Sequence, residues 1–462
     1  MKDKNMQAIG FKGKNIAALG LGRSGRSAAL ALQDSGAHVI AWDDTPAARD
    51  AAQKDGVNLQ DLTIIDWSTI DELVLSPGIP HHYPAPHPIV ALAKAAGLKP
   101  TNDIEILYKT QPEATYVGIT GTNGKSTTTS LIAHIIKAAG HKCEVGGNIG
   151  IPVMNLEPLG KDGTYVLEMS SYQLEITPSI HFDVSVLLNI TPDHLDRHGG
   201  LEGYISAKKL IYANSTHDDT LIIGIDDPHC FAIYEHLKTS SHVNLVPISV
   251  QKRISDGLYV KDGQLIDGGT GSMICDLSPL LRLKGQHNWQ NTAVSFATCR
   301  ALGLKDSEII KALESFPGLA HRQQLVKSWQ QIRFVNDSKA TNAEAVAQAL
   351  AAYSGENIYW LAGGRPKEGG ITALEPYFAS VNHAFIYGEA QDLFALSLEG
   401  KVPYTRAKDL REATELALKK AANHPKRETV VMLSPACSSF DQFKDFERRG
   451  EAFCDYINEL TT

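Results

Sequence analysis

The run Thr115-Tyr-Val-Gly118-Ile119-Thr-Gly121-Thr122-Asn123-Gly124-Lys125-Ser126-Thr127 decides the fold. Residues 115–120 are mostly apolar or β-branched and read as a strand, 121–124 as a glycine turn, and 126–139 as a helix. Backbone N–H groups in such a turn wrap phosphates. Lys125 is a flexible point charge for β- and γ-phosphates, and the Ser126 hydroxyl can bind Mg²⁺. Gly118 stands one place before the usual first glycine, where Ile119 sits. With a strand before it and a helix after it, the turn reads as an ATP site.

Toward the N-terminus the same grammar recurs. Residues 15–20 read as a strand that runs into Gly20-Leu-Gly22-Arg23-Ser24-Gly25. An Ala/Leu-rich helix follows to Ser35, then a strand over 38–42 that ends at Asp43-Asp44. This is a βαβ unit whose glycines let a diphosphate approach the helix N-terminus, with an acid placed to accept from a ribose or a base. The turn alone does not separate a nicotinamide dinucleotide from a UDP-sugar. A further strand reaches Ser76 and is followed by Pro77-Gly78; the Pro/His-rich stretch 80–88 reads as a loop, because proline removes backbone donors.

Toward the C-terminus, strands recur at 165–168 and 184–189, and a third restart follows Phe316-Pro317-Gly318, with strands at 332–336, 358–362, 384–387 and 429–433. The expected fold is α/β with three domains: a Rossmann-like domain over 1–103, a central P-loop domain over 104–318, and a second Rossmann-like domain over 319–462. A length of 462 residues agrees, at roughly 150 residues per domain.

Three segments beyond the P-loop carry clustered polar residues. Glu168 closes a strand, at the edge where ligands of open α/β sheets gather, and its carboxylate suits Mg²⁺ held together with phosphate oxygens. His194 lies between Asp193 and Asp196 after another strand, and a neutral imidazole is a divalent-metal ligand. Tyr204, Lys208 and Tyr212 share a helix face at i, i+4 and i+8, with Lys209 turned about 100° away. Lys208 either neutralises phosphate charge as a plain cation, the reading its sequence context favours, or takes up CO₂ as a free amine and becomes an anionic metal ligand.

Composition narrows the function classes. Lys and Arg number 44 against 52 Asp and Glu, a formal charge of −8, which argues against a general nucleic-acid or anionic-membrane binder. Six cysteines without a C-x-x-C pair suggest neither a zinc knuckle nor a disulfide framework. The opening residues MKDKNMQAIGFKGKN lack an apolar signal core and no run reaches the ~18 residues of a membrane span, so a cytoplasmic enzyme without membrane insertion is expected.

With these motifs the chain resembles the Mur ligases of peptidoglycan synthesis. The resemblance extends through Gly146-Gly-Asn148-Ile-Gly150, Glu168-Met-Ser-Ser-Tyr-Gln-Leu-Glu175, Asn189-Ile-Thr-Pro-Asp-His-Leu-Asp-Arg197, Gly285-Gln-His-Asn288 and His321-Arg322. It continues through Asn336-Asp-Ser-Lys-Ala-Thr-Asn342 and the tract from Leu433 to Gly450. The last tract, with the first glycine turn, is similar to the D-glutamate-adding branch. The resemblance implies a carboxylate–amine ligase with ATP, UDP-N-acetylmuramoyl-L-alanine and D-glutamate as substrates, two Mg²⁺ sites, and a monomer. It implies that Gly22, Arg23, Ser24, Gly25, Asp43, Ser76, Pro77, Gly78 and Asn148 hold the UDP substrate. ATP would meet Gly121, Thr122, Asn123, Gly124, Lys125, Ser126, Thr127, Asn291, Arg322 and Asp337. Ser126, Glu168, His194 and Lys208, the last as a CO₂-derived carbamate, would hold metal, and Lys125, Glu168, His194 and Lys208 would be catalytic. Lys339, Thr341, Lys367, Ser439, Phe440 and Phe446 would receive D-glutamate. A hinge is expected at Pro317-Gly318, closing the third domain over the second.

Overall fold

The computed structural model describes residues 6–240, 243–367, 369–423 and 428–461; the first five residues of the N-terminal stretch read above lie outside them. The structure is α/β throughout, with three sheets. Strands β1 (Asn15–Leu19), β2 (His38–Trp42), β3 (Glu72–Leu75) and β4 (Pro100–Thr101) form a parallel sheet in the order β2-β1-β3-β4. The second sheet comprises β5 (Thr115–Thr120), β6 (Lys142–Gly147), β7 (Gly163–Glu168), β8 (Val184–Leu187), β9 (Thr220–Gly224), β10 (Asn244–Ser249), β11 (Leu258–Lys261), β12 (Gln264–Asp267) and β13 (Met273–Asp276). Their order is β13-β12-β11-β10-β9-β8-β5-β7-β6. The third sheet comprises β14 (Gln324–Trp329), β15 (Ile332–Asn336), β16 (Asn357–Gly363), β17 (Val381–Tyr387), β18 (Tyr404–Arg406) and β19 (Thr429–Leu433), ordered β14-β15-β19-β16-β17-β18.

The chain divides into two compact units. One is Met1–Cys275 with Gln290–Glu314; the other is Asp276–Trp289 with Ser315–Thr462. In the first, the two sheets share a core. Phe11, Ile16, Ala28 and Leu32 pack in one cluster with Ile104, Leu107, Tyr116, Met154, Tyr165 and Phe182. In the second, strand alternation is explicit. Ile358, Trp360, Ala362, Ile386, Val430 and Met432 pack on one face of the sheet, and Tyr359, Leu361, Phe385, Tyr387, Val431 and Leu433 on the other. A sheet covered on both faces needs near-continuous apolar strands, which is why these runs stand out in the sequence.

Sheet order positions the polar loops. In the first sheet Leu19 lies beside Trp42 and Leu75. In the second, Ile119 pairs with Glu168 and Thr120 with Leu187, while Gly147 lies beside Glu168. In the third, Asn336, Leu433 and Leu361 are in register. Each central strand is thus flanked by two parallel neighbours whose carboxyl ends open at one edge, the place where such sheets take ligands.

Candidate active site

The turn 121–124 leaves β5 and enters the helix Lys125–Ala138 through Gly124, whose φ of +86° suits glycine and whose missing Cβ leaves room for the Asn291 amide. The turn is stitched to the segment after β8. Thr122 N–H donates to Asn189 O (2.9 Å), Asn123 N–H to Asn189 Oδ1 (2.8 Å), and Thr122 Oγ1 to Thr191 O (3.1 Å). Asn291 accepts from Thr128 Oγ1 at 3.2 Å. Lys125 Nζ donates to Gly121 O and Thr122 O, both at 2.8 Å. A phosphate entering the turn would compete with those carbonyls for the ammonium.

Glu168 ends β7 and is 2% exposed. Its Oε1 accepts from Asn148 Nδ2 (2.9 Å), and its carbonyl accepts from Asn148 N–H (2.8 Å). Oε2 is buried without a hydrogen-bond partner among the described residues. A buried, unpaired carboxylate oxygen suits a hard cation such as Mg²⁺. Lys208 is 1% exposed, donates to Gly121 O at 2.8 Å, and sits 4.6 Å from the Tyr204 ring centre. Burial, and then the charge of Lys125, push its pKa down to about 7. No ion pair engages it among the described residues. This environment disfavours the permanent cation that its sequence context favours. His194 differs from both: it adopts φ +51°, its side chain is 54% exposed, and it contacts Asp193 and the Tyr172 ring.

The first sheet contributes a cavity of about 230 Å³, lined by Arg23, Ser24, Pro77 and Gly78 together with Gly147, Asn148, Ile149, Gly150, Ile151, Pro152 and Gln173 from around the second. Gly22, Gly25, Asp43 and Ser76 build the turn behind it. A Cβ on Gly25 would collide with the Gly20 carbonyl, and Ser76 Oγ donates to that same carbonyl at 3.2 Å. Asp43, expected to face a ligand, spends its carboxylate on Leu21 N–H (2.7 Å) and Thr45 N–H (2.8 Å), locking the turn. Near Ser24, Asp103 is buried, and desolvation pushes its carboxyl up to about 6. Gln173 was not foreseen as a cavity residue. It lay within a quoted motif, but only the fold reveals that it faces the cavity.

In the second unit, three loops leave the adjacent ends of β15, β19 and β16. Lys339 rests 3.9 Å from the Phe446 ring centre, and Thr341 follows two residues on. Arg365 and Ser438 exchange backbone hydrogen bonds, which sets Lys367 on the loop beside that of Ser439 and Phe440. Ser439 is buried, whereas Phe440 is 63% exposed. Asp337 is buried; it accepts from Ser434 Oγ (2.8 Å) and Gln323 N–H (3.1 Å), and burial raises its pKa to about 7, partly offset by Arg322. Arg449, not assigned from sequence, is fully buried and ties two of these loops: Nη2 donates to Ser338 O (2.9 Å) and Cys437 O (3.0 Å), and Nε to Ser338 Oγ.

Among the described residues, one group of three carboxylate, imidazole or thiol donors lies within 4.8 Å: His181, Asp183 and Asp219. It sits at the amino ends of β8 and β9, away from the phosphate edge, and is engaged by Tyr116 N–H, Thr216 and its own members. Glu168 and His194 do not join such a group. No described helix is long and apolar enough to cross a membrane.

A glycine turn between a strand and a helix, beside a strand that ends in a buried carboxylate, is the arrangement of a P-loop fold. The chain matches the Mur ligase middle domain over residues 119–299 and the Mur ligase glutamate ligase domain over residues 321–437. UDP-N-acetylmuramoylalanine--D-glutamate ligase of Rhodospirillum rubrum is 46% identical over 457 residues, 97% of this chain and 95% of that protein. The protein of the same name in Caulobacter sp. strain K31 is 47% identical over 460 residues, covering 98% and 97%. The chain therefore belongs to the Mur ligase family and is a ligase. Solved structures agree on the fold. The alanine ligase MurC of Thermotoga maritima gives a TM-score of 0.58 at 18% identity, covering 97% of this chain and 99% of that one. The UDP-N-acetylmuramoyl-L-alanyl-D-glutamate--2,6-diaminopimelate ligase also gives 0.58 at 18%, covering 97% and 93%.

Proposed function

We propose that the chain joins D-glutamate to the L-alanyl carboxylate of UDP-N-acetylmuramoyl-L-alanine, driven by ATP, as a cytoplasmic monomer in peptidoglycan precursor synthesis. One observation carries this reading: Asn148 lines the cavity and also holds Glu168 beside the phosphate turn. A substrate carboxylate leaving the cavity would reach the place where a γ-phosphate is presented. The near full-length relatives carry the corresponding name.

A carboxylate oxygen is a poor leaving group, so the acid is first activated. The L-alanyl carboxylate attacks the γ-phosphorus, the bond to the β,γ-bridging oxygen breaks, and ADP and an acyl phosphate form. The D-glutamate amine then attacks the carbonyl carbon, loses a proton, and phosphate leaves from the tetrahedral intermediate. Two anions meet in the first step; Lys125 and the N-terminus of the helix Lys125–Ala138 lower that repulsion. Ser126, Glu168, His194 and Lys208 as carbamate would hold two Mg²⁺, which when bound supply further charge neutralisation. The carbamate forms when the free Lys208 amine adds to CO₂ and releases a proton; burial favours that amine. Asn291 contacts the nucleotide, and Lys339, Thr341, Lys367, Ser439, Phe440 and Phe446 receive D-glutamate. Phosphate release measured with D-glutamate, L-glutamate and L-alanine in parallel tests the proposal. Release requiring both the muramoyl substrate and the D-enantiomer supports it; equal release with L-alanine, or none with D-glutamate, overturns it.

A further inference from the structure

The reaction above leaves one seam of the first unit unused, where the loop after β3 meets the segment after His194. Arg197 Nη1 donates to Gly78 O at 2.9 Å, and Gly78 lines the cavity. The guanidinium lies 4.7 Å from the Tyr172 ring centre, and that ring stands 5.3 Å from both the His194 and His198 rings. Tyr172 sits on the short helix Ser171–Glu175, which also presents Gln173 to the cavity. A ligand in the cavity would meet two points, Gly78 and Gln173, that connect through Arg197 and Tyr172 to the imidazole expected to hold metal.

The seam also has the makings of a second arrangement. Arg197 Nε, His81 Nε2 and His198 Nδ1 are buried without a hydrogen-bond partner among the described residues. His81 Nε2 and His198 Nδ1 each stand 3.4 Å from an oxygen of Glu175, at the far end of the same short helix. Both imidazoles thus face one carboxylate without completing a hydrogen bond to it, so this corner of the seam is not fully satisfied. Coupling between sites requires an element with two packings that both ligands bias.

We propose that Arg197 is a positioning residue that couples occupancy of the cavity by the UDP-sugar to the placement of His194, so that each of that ligand and ATP tightens binding of the other. The inference rests on the proposed assignment of cavity and turn. It is tested by calorimetry on the whole chain with UDP-N-acetylmuramoyl-L-alanine and a non-hydrolysable ATP analogue with Mg²⁺, singly and together, without D-glutamate. In the unsubstituted protein each ligand is expected to improve the affinity of the other by about 5-fold or more. Arg197→Met should bring that factor to within about 2-fold of unity while each single affinity changes by less than about 3-fold, a separation a merely structural role would not produce. Tyr172→Leu, which removes the ring between Arg197 and His194, should do the same and carries the test if Arg197→Met does not fold. Coupling that survives Arg197→Met, or its absence from the unsubstituted protein when both ligands bind, overturns the inference and leaves the proposed function standing. Failure of either ligand to bind the unsubstituted protein removes the functional reading and the coupling with it.

Discussion

Lys208 and Lys209 are neighbours in sequence and opposites in environment: one is buried against the phosphate turn, the other exposed. Lys208→Ala is expected to lower turnover by about 100-fold or more, and a small added carboxylate should restore part of it by replacing the missing anion. Lys209→Ala should retain near-full turnover in the same assay. Asp103 gives a prediction of different kind. Its carboxyl titrates near 6 when folded against an ordinary value of 3.8. The unfolded chain therefore releases this proton first, and the group destabilises the fold increasingly as pH rises from about 3.8 to 6. Asp103→Asn should accordingly stabilise the protein at pH 8 by up to about 3 kcal/mol in urea unfolding, a gain that vanishes below pH ~4. The acid is visible in the sequence; its burial behind Ser24 is not, because that depends on a neighbouring sheet.

The helix Phe446–Leu460 begins at Asp445, whose side chain caps it, and its apolar face packs Phe453 and Ile457 into the core. Arg449 points from that helix into the loops after β15 and β19. Arg449→Met would leave the Ser338 and Cys437 carbonyls without this donor, and is expected to cost about 2–4 kcal/mol in urea unfolding and to raise the KM for the amino acid. Arg448→Met, at an exposed position of the same helix, should stay within about 0.5 kcal/mol. Elements were unevenly legible in the sequence. The expected strands at 332–336, 358–362, 384–387 and 429–433 coincide with β15, β16, β17 and β19 to within a residue or three, since burial on both faces makes them continuously apolar. Edge strand β14, with Lys327 half-buried and Ser328 exposed, and the three-residue β18 carry no such signal.

At the scale of the molecule, removal of divalent metal is expected to separate the two proposed ligand sites of the first unit. Chelation should lower turnover by about 100-fold or more, whereas UDP binding measured by calorimetry should change by less than about 3-fold. The cavity is lined by backbone turns, Arg23 and amide side chains, none of which needs a cation.

The sequence by itself determined the two glycine turns, the succession of βαβ units and the polar residues at strand ends, because each depends on contacts within a few residues. Tertiary structure decided where those residues stand and what surrounds them. The order β8-β5-β7-β6 gathers Lys208, the phosphate turn, Glu168 and Asn148 at one edge. It also turns Gln173 toward the cavity, ties Asp43 to its own turn, and strips water from Lys208. Pairing partners, burial and desolvation are set by segments tens of residues apart, and no local pattern encodes them.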